Sequence, residues 1–259
     1  MTAPRPADCR VLPPDALTGR TALVTGAGSG IGRAVTLRLV ELGATVVGVG
    51  RRADALAGTA DLAGERFRHT VLDVRDRDAA AAFVAGLGPL DLLVNNAGGQ
   101  FVAPAADISR RGFAAVADLN LTALAALVQA ARPGLAAARG RIVNLSLSAP
   151  DRGVAGLAHS AAARAGVAAL TRSLARQWRD VRLFCLAPGT VLTDGVGDEL
   201  PPDVLARIVA GTPLRRDTTL AEVAEWVAAL GSGVADAVSG ALIELDGGSG
   251  LVSAASLTG

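Results

Sequence analysis

The sequence predicts an α/β protein, a doubly wound parallel sheet in a single domain, and three observations predict it. Short apolar runs of strand length alternate with helix-period segments from residue 21 nearly to the end. The runs are apolar throughout, as strands buried on both faces of a parallel sheet are, and a string of glycines separates the first run from the first helical segment.

Taken in order, residues 21–25 form the first run, and residues 31–42 then repeat apolar side chains at helical spacing until Gly43 closes the helix. Residues 44–49 are a second β-branched run that ends at Gly50, Arg51 and Arg52, which completes a βαβ unit of dinucleotide-binding size. A strand over 67–72, a helix over 78–87 and a strand over 90–94 follow, leading into Asn95-Asn96-Ala97-Gly98-Gly99. A long helix is expected over 110–131, ended near Pro133 and Gly134. Next come a strand over 141–145, a helix over 161–176 and a strand over 182–187 that runs into Pro188-Gly189. A helix over 220–230 and a strand over 239–245 close the series before Asp246-Gly247-Gly248. The glycines and prolines of 190–218 predict a mobile flap over the carboxyl edge of the sheet. No repeat or linker marks a second domain, so the chain divides into an extension over 1–17 and one domain over 18–259.

Composition narrows the chemistry. All 25 cations are arginine, and the chain has no lysine and no tyrosine, which removes amine and phenol proton transfer and Schiff-base chemistry. A net charge of +1 with scattered signs and 3% aromatic residues offers neither a phosphate-neutralising face nor stacking platforms, so no nucleic-acid partner is expected. Cys9 and Cys185 form no metal spacing, and no metal is expected. Residues 1–10 have no apolar signal core and no stretch reaches eighteen uninterrupted apolar residues, so a cytoplasmic protein without a membrane partner is expected.

Thr25-Gly26-Ala27-Gly28-Ser29-Gly30-Ile31-Gly32 stands between a strand and a helix, where glycines let backbone approach a pyrophosphate held at the helix N-terminus. At the end of the second strand, Arg51 and Arg52 stand where a carboxylate would bind the ribose hydroxyls of NAD. Guanidinium groups match a phosphate instead, which favours NADPH. Asp73-Val74 is placed to meet the adenine, and the amides of the Asn95, Asn96, Ala97, Gly98 turn to tie strand ends together beneath the cofactor.

Together these motifs resemble the short-chain dehydrogenase/reductase family over nearly the whole chain, residues 17–251. The resemblance implies a Rossmann fold, a family P-G at Pro188-Gly189, and carboxamide contacts near Val191 and Thr193. It also implies a homo-oligomer, tetramer or dimer, joined through the segment that ends in Asp246-Gly247-Gly248.

The family's usual serine and Y-x-x-x-K fall, without a gap, on Leu147, Ser160 and Arg164, while the family's helix asparagine persists as Asn120. Ketone reduction has thereby lost its acid, because an unassisted serine is a poor proton donor and arginine does not release its proton at neutral pH. Hydride addition to the β-carbon of an enoyl thioester survives the loss, since its enolate oxygen needs hydrogen-bond donors more than an acid. The candidate donors are Ser160, in the tyrosine's place, with Ser148, Asn120 and His159, while Arg164 keeps the role of binding the nicotinamide ribose.

Residues 159–175, with Asn95 to Phe101, Pro104 and Ile108-Ser109, resemble the peroxisomal trans-2-enoyl-CoA reductases, which also lack Y-x-x-x-K. That resemblance implies NADPH-dependent reduction of a small acyl-thioester substrate. Two alternatives stay open: a redox-silent or redox-neutral protein of the same fold, and a carbonyl reductase that uses His159 as its acid. Gln100 either lines the substrate mouth or caps its loop, Cys185 reads as a core residue, and His69 has no assigned role.

Overall fold

Seven strands, β1 Thr21–Thr25, β2 Thr45–Gly50, β3 Phe67–Val71, β4 Leu92–Asn95, β5 Arg141–Leu145, β6 Arg182–Pro188 and β7 Ala241–Leu245, pair in parallel in the order β3-β2-β1-β4-β5-β6-β7. The structure is a computed structural model that describes residues 9–148, 152–193 and 202–251. Residues 1–8 of the expected extension and 194–201 of the expected flap lie outside the described residues. The strand order reverses between β1 and β4, where Ala22 pairs with Leu92 and Val24 with Val94, and this switch point opens a crevice at the carboxyl ends of the strands.

Helices α1 Gly30–Glu41, α2 Ala53–Ala63, α3 Arg77–Ala85, α4 Arg110–Ala117, α5 Ala123–Ala138, α6 Ala158–Gln177, α7 Pro202–Ala210 and α8 Leu220–Ser232 complete the described fold. On one side of the sheet Val35 and Leu39 of α1 and Val223 and Val227 of α8 pack on Val24, Val46 and Phe184. On the other, Leu127, Val128 and Leu135 of α5 and Val167 of α6 pack on Leu93 and Ile142. Two buried layers on one sheet explain why the strand runs are apolar without alternation. Cys185 belongs to this core, where burial pushes its thiol up to about 11.

Three expectations are corrected. Helix α2 is not among the expected elements because it is rich in alanine and buries only Leu56 and Thr59, which leaves little periodicity to detect. Pro133 does not end α5: Leu127, Val128, Ala131 and Leu135 form one buried stripe across the proline, and the helix continues to Arg139, whose φ of 49° turns the chain out. Within the expected flap, residues 202–210 are a helix. Between α4 and α5, residues Asp118–Thr122 form a single π turn, so one unbroken helical run covers Arg110–Ala138. Among the described residues this run is the one helix long and apolar enough to cross a membrane, and here its buried stripe faces the sheet.

Between α1 and α8, the buried Glu225 carboxylate binds Arg38 Nε at 2.6 Å and accepts the amides of Val11 and Leu12 at 2.7 and 3.1 Å. The described part of the N-terminal segment is thereby fastened to α1 and α8.

Candidate active site

Thr25 closes β1 directly below the crevice, and its hydroxyl accepts the amides of Asn96 and Ala97 at 3.0 and 2.9 Å. Asn96 returns the contact, donating Nδ2 to the Thr25 carbonyl at 2.9 Å, so the ends of β1 and β4 are locked together. A Cβ at Gly32 would fall onto the Gly26 carbonyl, and only glycine there lets the first turn of α1 sit this close to the strand. The N-cap of α1, Ser29, makes no side-chain cap bond, and the first turn carries no acidic residue. Its amides are therefore available to an anion with the helix dipole behind them.

A cleft of about 490 Å³ opens on these amides. Its walls hold most of the expected cofactor residues: Gly26, Gly28, Ser29, Gly30 and Ile31 on the turn, Arg51 and Arg52 after β2, Asp73 and Val74 after β3, and Ala97, Gly98 and Thr193 opposite. Arg52 donates Nη2 to Ser29 Oγ at 3.0 Å, which sets a guanidinium at the rim of the glycine turn. Asp73 is held below the ordinary carboxylate value, chiefly by the Arg75 guanidinium. Asn96, Leu56 and Leu72 also line the cleft. A cleft lined by the glycine turn, uncapped helix amides and two arginines fits a dinucleotide with a ribose phosphate.

Six expected cofactor residues do not line this cleft: Arg164, described below, and five more. Gly32 packs on Gly26, and Asn95 is buried, donating Nδ2 to Asn144 Oδ1 at 2.8 Å in a chain that continues through Thr171 to the Val167 carbonyl. Pro188 ends β6 within the sheet, and Gly189 lies against Asp246, where a Cβ would come within 2.8 Å of the Asp246 Cα. Val191 is buried in an isolated bridge to Thr218.

The expected catalytic residues are brought to one edge of the sheet in unexpected roles. Ser160 is fully buried on α6, and its hydroxyl donates to Gln100 Oε1 at 2.6 Å. That bond uses the serine proton and leaves the Gln100 Nε2 amide as the pair's remaining donor. Asn120 is buried in the π turn, donates Nδ2 to the Gly99 and Val116 carbonyls at 2.7 and 2.9 Å, and accepts the Gly99 amide at 3.2 Å. Both its amide protons are committed, so Asn120 holds the loop that carries Gln100 and is not itself a substrate donor. Ser148 is corrected likewise, because its hydroxyl donates to Asp246 Oδ2 at 2.5 Å. Burial pushes that carboxyl up, but Ser148 and the amides of Gly250 and Gly248 outweigh it and hold Asp246 below the usual value.

Arg164 donates Nη1 to the Leu145 carbonyl at 2.6 Å and presses its other nitrogen against Gly98, where a Cβ would collide with it. Burial pulls its guanidinium down to about 10, so it remains a cation at neutral pH, and among the described residues it forms no ion pair. His159 is buried beside Ser160, in contact with Phe101. The partnership of Gln100 with Ser160 was hidden from the sequence because the two lie sixty positions apart.

Residues 26–250 match the family model described as Enoyl-(Acyl carrier protein) reductase. The chain is 39% identical, over 90% of its length and 98% of the relative's, to cis-4-hydroxycyclohexanecarboxylate dehydrogenase of Sinomonas cyclohexanicum. It is 34% identical, over 88% and 96%, to the probable 2,4-dienoyl-CoA reductase of Bacillus subtilis. A solved structure from Beutenbergia cavernae, provisionally described as an NAD(P)-dependent gluconate 5-dehydrogenase with NADP bound at low occupancy, superposes with a TM-score of 0.86. It shares 35% identity, over 92% of this chain and 99% of that one.

Proposed function

The chain belongs to the short-chain dehydrogenase/reductase family of oxidoreductases, and from that premise we propose that it reduces the 2,3 double bond of an enoyl thioester with NADPH. The observation that carries this reading is the bond from Ser160 Oγ to Gln100 Oε1. It turns the place of a proton-releasing phenol into a fixed amide donor.

A carboxamide N–H gives a hydrogen bond but does not surrender its proton at neutral pH, and neither does the Arg164 guanidinium. Ketone reduction needs a proton delivered to an alkoxide, a demand this pair does not meet. An enolate is content with donors aimed at its oxygen, worth about 10² to 10³ in rate each when preorganised. The positive charge of Arg164, without an ion pair among the described residues and desolvated by burial, adds attraction for the same developing anion.

When bound, the reduced nicotinamide supplies the hydride. The α1 amides would hold its pyrophosphate, Arg51 and Arg52 its ribose phosphate, Asp73 and Val74 its adenine, and Arg164 the nicotinamide ribose. NADP in the Beutenbergia structure supports the choice of cofactor. A second reading, exchange between a hydroxyl and a ketone, is supported by the Sinomonas relative, whose name is that of a dehydrogenase.

Consumption of NADPH with crotonyl-, hexenoyl- and acetoacetyl-thioesters, offered in parallel, tests the reading. Turnover of the two enoyl substrates is expected, and turnover confined to the acetoacetyl-thioester would overturn it.

A further inference from the structure

The loop after β4 runs antiparallel along the start of α6, so that Gln100 meets Ser160, Phe101 meets His159, and the Ala103 amide donates to the Gly156 carbonyl at 3.0 Å. Phe101 and His159 pack edge to face, with centroids 4.3 Å apart and planes at 64°. Gly112 of α4 makes room for the phenyl ring, since a Cβ there would lie 3.1 Å from Phe101 Cζ. Phe101 is 41% exposed, whereas His159 beneath it is 0% exposed, and neither Nδ1 nor Nε2 has a hydrogen-bond partner among the described residues. A buried polar atom without a partner costs about 1 to 3 kcal/mol, and native proteins keep few of them. An imidazole that only filled space here would be better replaced by leucine.

We propose that His159 is the proton donor to the α-carbon of the substrate, uncovered when the acyl chain displaces Phe101. The proposal rests on the enoyl reading and completes its balance. Hydride joins the β-carbon, and the π pair moves to give the enolate. The enolate pair then takes a proton from the ring in its imidazolium form, forming the α-carbon to hydrogen bond, restoring the carbonyl and leaving neutral imidazole. Water returns a proton to the ring, so each double bond consumes one hydride from the reduced nicotinamide and one proton from solvent.

Elimination leads to the same ring. Ser160 and Ser148 have committed their hydroxyl protons, and Asp246 is held ionised. The Cys185 thiol is buried and raised to about 11, and Arg164 keeps its charge. The other histidine, His69, sits exposed on the outer strand β3. Imidazole is the side chain whose ordinary range suits both holding and releasing a proton near neutrality.

In full-length enzyme carrying His69→Asn, one imidazole remains, and its nitrogen-15 signals can be followed by NMR. Saturating butyryl-thioester with NADP is expected to shift them, and signals that stay fixed at saturation would overturn the proposal. In deuterated water, wild type should reduce crotonyl-thioester with deuterium on one face of the α-carbon, whereas His159→Gln should lose about 10²-fold in kcat along with that selectivity. Reduction by His159→Gln at the wild-type rate and on the same face would overturn the inference alone. Failure of wild type to reduce crotonyl-thioester would overturn the enoyl reading and, with it, this role.

Discussion

Ser160 and Gln100 face each other across 2.6 Å, with the serine hydroxyl donating to the amide oxygen, so the orientation of Gln100 is set by a buried residue of α6. Replacing Gln100 by leucine removes the pair's remaining donor, and kcat for an enoyl thioester should fall about 10²-fold with little change in NADPH affinity. Ser160→Ala should lower kcat about tenfold, because it only frees the amide, and the double variant should be no slower than Gln100→Leu. Steady-state kinetics on the four proteins check this. Additive losses would mean that the two side chains act on the substrate separately.

Arg51 and Arg52 line the cleft where β2 ends. Both are exposed, so each contact with a ribose phosphate is worth only the modest energy of a solvent-screened pair. Single alanine substitutions should weaken NADPH binding about fivefold each and leave NADH binding within about twofold, as read by nicotinamide fluorescence titration. An equal loss for both cofactors would assign the arginines to a part that the two dinucleotides share.

Glu225 predicts an acid limb in stability. Burial pushes its carboxyl up, but hydrogen bonds from Arg38 and from the Val11 and Leu12 amides outweigh this and hold it below the ordinary 4.5. A carboxyl with a depressed folded value stabilises the fold fully above its unfolded value, and that contribution is lost as pH falls through the folded one. Glu225→Gln should cost about 2 kcal/mol near neutrality, since the buried Arg38 then keeps only the more exposed Glu41 as a charge partner, and should flatten the decline below pH 4.5. Urea denaturation across the acid range measures both effects.

The sheet and the cofactor turn were legible because their signals are local: apolar runs of strand length, helical spacing, and glycines where a strand meets a helix. Helix α2 was missed for want of a periodic apolar face, and Pro133 misled because a stripe of buried side chains on both sides of a proline can outweigh the bond it removes. At the site, the positions of Ser160, Arg164, Asn120 and Ser148 could be read, but their hydrogen bonds could not. Asn120 turns to Gly99, Ser148 to Asp246 and Ser160 to Gln100, and each partner lies between 21 and 98 positions away along the chain. Such pairings belong to tertiary packing, which no window of sequence contains.

The destination of the hydride tests the central claim most directly. With NADPH deuterated at the transferable position and equal amounts of crotonyl- and acetoacetyl-thioester present, the product should carry deuterium at C3 of a saturated butyryl chain. Deuterium found instead on the carbinol carbon of a 3-hydroxybutyryl product would contradict the account.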